Sequence, residues 1–342
     1  MTSNGLEAGI GRGLEFLRRS QLPSGEFKVF ISPDLHLERD CVFDSSTFPA
    51  ALIAYALGFA DPAAAGDILD KALGFLVSEM EGAGLWRYWT KRHQTHSTSP
   101  SDLDDTACAS FVLRRHRVPF PPNLKLILAN RNREGLFYTW LTARWPLPRL
   151  PSYWRVILSQ WRHPRRLYYF WKLEPNRHDV DCVVNANVLF YVGEAAETRP
   201  VIDYLIDVVR RGEEGRCDGW YSNRFMFYYA VSRNFHAGVG ALGAVRGESV
   251  ALVVGGARPD GSIGGSVLNT ALAACALLYW RSHPPELERA VRFLLAEQRA
   301  DGSWPRAAVY YSGPDKHYGF GSEELVTGFC IEALLHYRLT RS

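Results

Sequence analysis

A repeated turn pattern runs the length of the chain and constrains its fold more than any other feature. Gln21 is followed four positions later by Gly25, and Gln298 by Gly302, and in both copies an aromatic residue stands two positions after the glycine. Degenerate copies of the pattern contain Gly84, Gly135, Gly219 and Gly261. The recurrence predicts six copies of one supersecondary unit, stacked as in repeat proteins.

Each turn lies between two segments with helical periodicity. Before the last turn, apolar residues return every three or four positions over 287–298, as in an amphipathic helix. More apolar segments follow the turns, at 46–57, 105–115, 182–192, 223–234, 268–280 and 324–336. Helices that are apolar on most faces must be surrounded. We therefore predict an all-α fold with a single domain over residues 1–342, an (α/α)6 barrel of six inner and six outer helices.

The turn residues themselves have a structural explanation. Glycine permits a positive φ where a helix ends, and the aromatic residue after it packs against a neighbouring repeat. We predict that four side chains fasten neighbouring repeats together in this way, those of Gln21, Gln298, Trp86 and Trp304.

One segment, residues 141–178, interrupts the repeats. It contains four tryptophans, and its eight Arg or Lys residues stand against a single acid, Glu174. Mixed aromatic and basic residues suit a membrane interface, where rings lie at headgroup level and cations meet anionic lipid. A flap packed over the barrel mouth is the alternative, and the sequence leaves both interpretations open.

Charge and cysteine usage narrow the classes of function. The formal net charge is only +3, and no Lys/Arg-rich run is present, so we expect no nucleic-acid partner. Without a leader segment or an apolar run of about 18 residues, the chain is predicted to be cytoplasmic, with membrane association only through residues 141–178. The six cysteines form no C-x-x-C pair, so we expect them to be reduced.

The most distinctive polar feature is Asp102-Leu103-Asp104-Asp105, at the start of the second inner helix. Aspartate is a preferred N-cap and acids in a first turn complement the helix dipole, which explains one or two of the carboxylates. Three carboxylates at this spacing repel one another, and the repulsion is relieved when one stays protonated. We predict that Asp104 points into a water-poor barrel as a general acid, tuned by Asp102 and Asp105.

Such an acid suits protonation of a carbon–carbon double bond or an epoxide, followed by carbocation rearrangement. A carbocation is stabilised by the negative faces of aromatic rings. The inner segments provide four candidates for this role, Phe225, Tyr228, Tyr311 and Phe320.

The residues from Asp102 to Ala107 resemble the D-x-D-D-T-A motif of class II terpene cyclases, and the turns resemble the Q-x-x-x-G-x-W repeats of the squalene and hopene cyclase superfamily. The resemblance implies that Asp104, at the third motif position, is the proton donor. Relatives usually carry two barrels, whereas this chain has residues for one. The resemblance therefore implies a single-barrel cyclase whose substrate is an isoprenoid shorter than squalene, such as a prenyl diphosphate or a prenylated aromatic compound.

A second acidic pair, Asp179 and Asp181, opens the third inner helix, and Asn185 follows it. N-capping is the default explanation for these residues. In the functional alternative, Asn185 orients the acid from the neighbouring helix, or the group holds Mg²⁺ for a diphosphate. Protonation itself requires no cofactor.

Cationic residues follow two of the turns, where the inner helices begin. They are Lys91 and Arg92 after the second turn, and Lys316 and His317 after the sixth. Paired cations near helix N-termini favour phosphate, so these are the candidates for diphosphate recognition. Exposed loops also carry such residues without that role.

Two other functions remain open. The protein prenyltransferase β subunits use the same barrel and bind Zn²⁺ through Asp, Cys and His, and the stretch from Cys217 to Tyr221 resembles part of that site. A toroid without catalytic activity would instead bind a lipid or a partner protein, because fold does not determine function. The oligomeric state is not indicated by the sequence.

Overall fold

The computed structural model describes residues 3–142, 149–160, 180–312 and 316–341, and these residues form thirteen α-helices. In chain order they are α1 (Ser3–Ser20), α2 (Phe48–Leu57), α3 (Pro62–Glu79), α4 (Leu103–Arg115), α5 (Leu124–Ala129), α6 (Pro151–Gln160), α7 (Cys182–Val192), α8 (Arg199–Arg211), α9 (Arg224–His236), α10 (Arg246–Val254), α11 (Val267–Tyr279), α12 (Pro285–Ala296) and α13 (Glu323–Leu339).

Six of the described helices form a closed inner ring: α2, α4, α7, α9, α11 and α13. Each contacts the next in that order, and α13 contacts α2. Every residue of α2 is buried, and α7 is buried except at its last residue. The predicted α/α barrel is confirmed, and the ends of the inner helices lie within three residues of those predicted.

The outer helices present one apolar face to this ring. In α8 the buried residues are Val201, Ile202, Leu205, Ile206, Val208 and Val209. The opposite face carries exposed ion pairs one turn apart, between Arg199 and Asp203 and between Arg211 and Asp207. Such exposed pairs contribute only about 0.3–0.5 kcal/mol each, so burial of the apolar face holds the outer layer in place.

The glycine turns bring successive outer helices into close contact. Gly25 has a φ of 92°, and a Cβ there would lie 2.1 Å from the carbonyl oxygen of Lys71 on α3. Gly302 has a φ of 89°, and a Cβ there would lie 2.3 Å from the carbonyl oxygen of Arg12 on α1. Both the positive φ and the close approach require glycine at these positions.

The predicted fastening residues form the expected bonds. The Gln21 amide donates to the carbonyls of Gly25 and Ile68, both at 3.0 Å, which joins its turn to α3. The Gln298 amide donates to the carbonyls of Gly302 at 3.0 Å and Gly9 at 2.9 Å, so the last repeat is joined to the first.

The two tryptophans fasten the turns in a second way. The indole of Trp86 donates to the Leu76 carbonyl at 2.8 Å, and that of Trp304 donates to the Leu294 carbonyl at 2.7 Å. Each bond joins a turn to the outer helix before it, and both rings are fully buried. These two bonds lie within one repeat, and the predicted contacts with neighbouring repeats come from the rings themselves. The Trp86 ring lies 6.2 Å from that of Phe120, in the connection to α5, and Trp304 lies beside Gly13 of α1.

Short strands supplement the helices at one end of the barrel. They are β1 (Phe30–Ser32), β2 (Val42–Phe43), β3 (Ser101–Asp102), β4 (Trp140–Leu141), β5 (Ala308–Ser312) and β6 (Tyr318–Gly321), paired in the orders β2-β1-β6-β5 and β3-β4. All lie in connections that lead to an inner helix, so they border the rim where the inner helices begin. The prediction of an all-α fold omitted them because strands this short show no alternating pattern.

The interrupting segment 141–178 is described only at 141–142 and 149–160. There α6 (Pro151–Gln160) forms despite the surrounding prolines, and the Tyr153 hydroxyl donates to the Thr142 carbonyl at 2.5 Å. The other residues of the segment lie outside the described part, so the flap and the membrane contact both stay predictions. No described helix is long and apolar enough to cross a membrane.

Two cysteines are joined in a disulfide, which the sequence-based expectation of six reduced thiols missed. Cys182 at the start of α7 is bonded to Cys217 in the loop before α9. Their separation of 35 residues gave no sequence signal, because only C-x-x-C spacing was diagnostic. The bridge ties the loop 217–221 to the beginning of α7.

Candidate active site

The three motif aspartates have three different environments. Asp102 is the N-cap of α4, and its Oδ1 accepts hydrogen bonds from the backbone amides of Asp104 at 2.6 Å and Asp105 at 3.4 Å. Its side chain is buried beside the other two carboxyls, and burial raises its pKa well above the usual value. Asp102 therefore shapes the turn that positions the other two acids.

Asp104 lies on the face of α4 that is directed toward the barrel axis. It shares this face with Cys108 and Phe111, at helical spacing, and is 7% exposed. Its Oδ1 accepts a hydrogen bond from the Asn187 amide of α7 at 2.6 Å, and its Oδ2 accepts one from the hydroxyl of Tyr221. Helix α7 and the loop before α9 thus hold the Asp104 carboxyl in place.

Asp105 points instead toward the neighbouring inner helix. Its Oδ1 accepts a hydrogen bond from the Thr47 hydroxyl, immediately before α2, at 2.6 Å. Burial raises its pKa to about 8, with the nearby Asp104 charge adding to the rise. Burial therefore favours the neutral form of Asp105, which lies to one side of Asp104.

Burial raises the pKa of Asp104 to about 6, while the hydrogen bonds from Tyr221 and Asn187 lower it. The buried environment favours the neutral acid, and the two donors favour the carboxylate that remains after proton transfer. This combination allows Asp104 to hold a proton and to release it to a weak base.

Asn187, rather than Asn185, orients Asp104. Asn185 accepts from the Phe137 amide at 2.8 Å and donates to the Phe137 carbonyl at 2.9 Å, so it fastens the third glycine turn. Two positions along a helix differ by about 200°, which directs the two asparagines to opposite sides of α7. The orienting role predicted for Asn185 was wrong, because Asn187 is the asparagine on the side of α7 that faces Asp104.

Asp181 is the N-cap of α7, as the default explanation predicted. Its Oδ1 accepts from the amides of Val183 at 2.7 Å and Val184 at 3.0 Å. Its Oδ2 accepts from the amides of Gly219 at 2.7 Å and Trp220 at 2.9 Å. Asp181 thereby holds the loop that carries Tyr221, a residue that the sequence had placed in a glycine turn and in a zinc motif, without a role beside Asp104.

Metal binding receives no support from the described residues. They contain no group of three His, Cys, Asp or Glu side chains able to hold a metal ion. Cys217, proposed as a zinc ligand, is bonded to Cys182 and has no free thiolate, so that part of the zinc hypothesis was wrong. Asp179, a candidate Mg²⁺ ligand, lies outside the described residues.

Aromatic rings surround the acid motif on the rim side. Tyr310 stacks on Phe320 with 5.3 Å between ring centroids, meets Phe48 at 5.5 Å and Tyr88 at 5.9 Å, and lies 6.4 Å from Tyr221. These five rings, here called the aromatic cluster, are therefore connected by ring contacts, and the cluster reaches Asp104 through the Tyr221 hydroxyl. Phe320 is the predicted aromatic that belongs to it.

The other three aromatic candidates do not join this cluster. Phe225 packs against the outer side of the ring, where a Cβ on Gly264 would lie 2.3 Å from it. The hydroxyl of Tyr228 donates to Glu214 at 2.5 Å, also away from Asp104. Tyr311 pairs through its backbone amide with the Trp220 carbonyl at 2.7 Å, and its ring is half-buried.

Two of the four diphosphate candidates are engaged in structural contacts. The Lys91 ammonium donates to the Ser78 carbonyl at 2.5 Å, near the end of α3. Lys316 forms an ion pair with Asp218 at 2.8 Å. Arg92 and His317 are exposed. The site therefore offers fewer uncommitted cations for a diphosphate than the sequence indicated.

No protein-family model and no curated protein sequence matches the chain. The solved structures do. The type II terpene cyclase MstE from Scytonema superposes with a TM-score of 0.74 at 16% identity, covering 99% of each chain. A variant of that cyclase in complex with geranylgeranyl dihydroxybenzoate, its substrate, gives a TM-score of 0.71 at 15% identity over 98% of each chain. A protein from Actinoplanes gives 0.73 at 18% identity, covering 97% of this chain and 99% of its own.

The similarity extends to an enzyme of different chemistry. An unsaturated glucuronyl hydrolase specific for heparin superposes with a TM-score of 0.58 at 8% identity, over 99% of this chain and 98% of its own. At these identities the comparisons bear on architecture. The expectation of a single-barrel, cyclase-like fold is confirmed, and the chain has the fold of the type II terpene cyclase MstE over nearly its whole length.

Proposed function

We propose that this protein is a class II terpene cyclase in which Asp104 protonates a linear isoprenoid. One observation carries the proposal: Asp104 is a desolvated carboxyl on the axial face of α4, and both of its oxygens accept hydrogen bonds from other elements of the ring. A buried acid without a salt-bridge partner among the described residues, beside a cluster of aromatic rings, is suited to delivering a proton to carbon.

The proposed reaction begins when the Asp104 proton passes to a terminal double bond or an epoxide oxygen. The π electrons of the substrate form the new C–H bond, or an epoxide C–O bond breaks, and positive charge develops on carbon. Internal double bonds then attack in turn and close rings. The last cation loses a proton, so the product is an isomer of the substrate.

Two parts of the site support this sequence. Asn187 and Tyr221 stabilise the carboxylate that Asp104 becomes, as donors aimed at developing charge. The aromatic cluster offers ring faces to the migrating cation, each worth about 0.5–2 kcal/mol when water is excluded. Protonation requires no metal.

The substrate class that we favour is a prenylated compound rather than a prenyl diphosphate. Lys91 and Lys316 are engaged by α3 and Asp218, and the described residues offer no metal site for a diphosphate. The similar cyclase MstE binds a geranylgeranylated aromatic acid. Mg²⁺ enters this proposal only for a diphosphate substrate.

The test is incubation of the purified protein with prenyl diphosphates, free polyprenols and prenylated aromatic acids of several lengths. We expect a product of unchanged mass and new retention time from one class. Asp104→Asn should reduce that turnover by at least about 100-fold, because the amide has no acidic proton. Glu324→Gln is the matched control, since it neutralises another buried carboxyl, and it should retain activity.

The rival function is a toroid that binds a lipid or a partner without catalysis. The glucuronyl hydrolase shares the architecture, so fold alone does not select the chemistry. A binding protein would produce no isomer from any of these substrates, and Asp104→Asn would leave its ligand affinity nearly unchanged. That pair of results would replace the cyclase proposal with the binding one.

A further inference from the structure

Arg233, on α9, is a buried cation that no described carboxylate neutralises by direct contact. It is 2% exposed, and one terminal nitrogen donates to the Asn187 side-chain oxygen. The other donates to the Tyr229 hydroxyl at 3.3 Å, while Nε has no hydrogen-bond partner among the described residues. Its guanidinium carbon lies 4.3 Å from the centre of the Phe190 ring. A buried charge in this state requires a compensating charge nearby.

Two buried carboxyls lie one residue beyond Arg233, in opposite directions. On one side, Asn187 donates from its amide nitrogen to Asp104 Oδ1 at 2.6 Å. On the other, the Tyr229 hydroxyl donates to Glu332 Oε2 at 3.2 Å. Glu332, on α13, is fully buried. The chain of contacts therefore runs from Asp104 through a single cation to Glu332.

We propose that Asp104 and Glu332 form one coupled acid pair across Arg233, in which ionisation of either carboxyl opposes ionisation of the other. One guanidinium balances one carboxylate, and a second negative charge inside the barrel has no cation of its own. Glu332 touches no reacting atom in the proposed reaction, so it acts as a positioning residue for the charge on Asp104. This catalytic meaning rests on the proposed function, whereas the coupling itself does not.

The groups around Glu332 leave Arg233 as its buried counter-charge. Burial raises the pKa values of its hydroxyl and thiol neighbours, which are Tyr55 on α2, Tyr229 on α9, and Cys275 and Tyr279 on α11. Burial also lowers the pKa of His336, one turn along α13, to about 3, and lowers that of His236 at the end of α9. Arg115, at the end of α4, is exposed to solvent.

The groups around Asp104 give the same result. Its ionisable neighbours are Asp102, Asp105 and Cys108 on or before α4, Asp181 before α7, and Tyr221 before α9. Burial raises the pKa of each of these acids, hydroxyls and thiols, so none adds positive charge. Arg233 is the cation that lowers the pKa of both Asp104 and Glu332.

The consequence is that the far side of the ring controls the acid. When Glu332 carries the negative charge that balances Arg233, Asp104 keeps its proton and can donate it to the substrate. When Glu332 is neutral, Arg233 draws Asp104 toward its ionised form. The chain of contacts from Asp104 to Glu332 includes residues of α4, α7, α9 and α13. Closure of the ring therefore places both carboxyls near the same cation, Arg233.

The test is a carboxyl ¹³C NMR titration of protein labelled at the side-chain carboxyls of Asp and Glu, without substrate. Wild type, Asp104→Asn and Glu332→Gln are compared, and the two variants also assign the signals. We expect the carboxyl that ionises second in wild type to titrate about one pH unit lower in the variant lacking the other, a tenfold change in its ionisation constant. Midpoints that stay within about 0.3 pH units in both variants would overturn the coupling.

Two further variants keep the test decisive. Glu324→Gln removes a buried carboxyl from the first turn of the same helix and should move neither midpoint. Should Glu332→Gln fail to fold, Tyr229→Phe takes its place by removing the hydroxyl between Arg233 and Glu332. It should raise the Glu332 midpoint and lower that of Asp104, and midpoints moving together in the same direction would contradict the pairing.

The titration separates this inference from the proposed function. Coupled midpoints in a protein that cyclises no isoprenoid would preserve the pair and remove the cyclase proposal. Independent midpoints in an active cyclase would remove the pair alone. In an active enzyme, Glu332→Gln should also shift the alkaline limb of the kcat/KM profile to lower pH, whereas Glu324→Gln should leave it in place.

Discussion

As the proton donor that we propose, Asp104 must be neutral before the reaction and a stable anion afterwards, and different neighbours serve these two requirements. Burial favours the neutral form, and the donors Asn187 and Tyr221 favour the anion. The balance raises the pKa of Asp104 to about 6, above that of an exposed aspartate and below that of Asp105, at about 8. Asp104 is therefore the stronger acid of these two buried carboxyls.

Replacing Tyr221 with phenylalanine should make Asp104 a weaker acid. The variant lacks the hydroxyl that donates to Oδ2, so the pKa of Asp104 rises and the carboxylate formed in the reaction is less stable. A hydrogen bond to a charged group is worth about 1.5–3 kcal/mol, which corresponds to a loss of about 10–100-fold in kcat. Steady-state kinetics across pH should also show the alkaline limb at higher pH.

The matched control is Tyr228→Phe, because this buried hydroxyl bonds to Glu214 instead. It should leave kcat and the position of the limb nearly unchanged. Equal losses in the two variants would indicate general damage to α9 and its preceding loop, and would count against a role for Tyr221 in acidity.

The pH dependence of the wild-type enzyme follows from the same group. In the proposed reaction Asp104 must be protonated to react, and its pKa is raised to about 6. As the pH rises above this value, the fraction of protein with a protonated Asp104 decreases. The value of kcat/KM should therefore fall about tenfold per pH unit above about pH 6. Activity that rises between pH 6 and 8 would show that a base, rather than this acid, limits the reaction.

At the residue scale, the sequence predicted the acid but not its partners. Three aspartates in four positions exceed what capping requires, and this excess singled out Asp104. Asn187 and Tyr221 carried no such excess, because a single asparagine in an inner helix and a tyrosine after a turn are ordinary. Their role depends on which ring helices are adjacent, and adjacency is a tertiary property.

At the scale of elements, the loop 217–221 is the part of the site held by the most independent contacts. The disulfide from Cys217 to Cys182 fixes its start, and Asp181 binds the amides of Gly219 and Trp220. Tyr221 follows immediately. The position of the phenol beside Asp104 therefore depends on both the bridge and the cap.

The double variant Cys182→Ser, Cys217→Ser should lower both stability and activity. Opening a loop closed across 35 residues removes about 3–4 kcal/mol from the free energy of unfolding in the chain-entropy account. Urea unfolding of oxidised wild type and the variant measures this difference. Cys41→Ser is the control, because Cys41 is an unpaired thiol, and equal stability of the double variant and wild type would show that the bridge contributes nothing.

The sequence predicted the long helices and missed the short strands, because only the long elements show a periodic apolar pattern. Inner helices with ten or more residues, such as α2 and α9, were predicted because their apolar pattern persists over several turns. The strands of the rim span two to five residues and showed no pattern. Because β5 and β6 carry Tyr310 and Phe320, the stacking of these two rings was hidden from sequence reasoning, although Phe320 itself was a candidate.

At the scale of the whole molecule, the buried acids should give an unusual dependence of stability on pH. Folded pKa values of about 6 for Asp104 and 8 for Asp105 exceed the unfolded value near 4, so the folded state binds more protons. Their contribution is complete below the unfolded pKa and is lost as pH rises through the folded values. The free energy of unfolding should therefore decrease from pH 5 to pH 8.

Asp105→Asn tests the sign and source of this dependence. The neutral amide retains an oxygen for Thr47 and cannot ionise, so the decrease should be shallower by up to about 1.4 kcal/mol per pH unit. Denaturant unfolding of both proteins at several pH values measures the difference. Parallel curves for wild type and variant would contradict the raised pKa of Asp105.

The repeat pattern predicted the architecture of the whole molecule because six weak copies support one another. Gln298 bonds to Gly9 as well as to Gly302, so the pattern at the two ends describes the closure of the outer layer. Such a pattern carries no information on chemistry, since a glucuronyl hydrolase has the same architecture. The proposed function therefore rests on Asp104 and its surroundings.

The most direct test of proton donation by Asp104 is turnover in D₂O. The test uses a substrate with a terminal double bond and no epoxide, because deuterium delivered to an epoxide oxygen is lost by exchange with water. The carboxyl exchanges its proton with solvent before each reaction, so a cyclase that protonates the double bond places one deuterium on the product carbon that receives it. We predict a product one mass unit heavier, with none formed by Asp104→Asn. An unlabelled product from wild type in D₂O, or an undiminished labelled product from Asp104→Asn, would contradict this account.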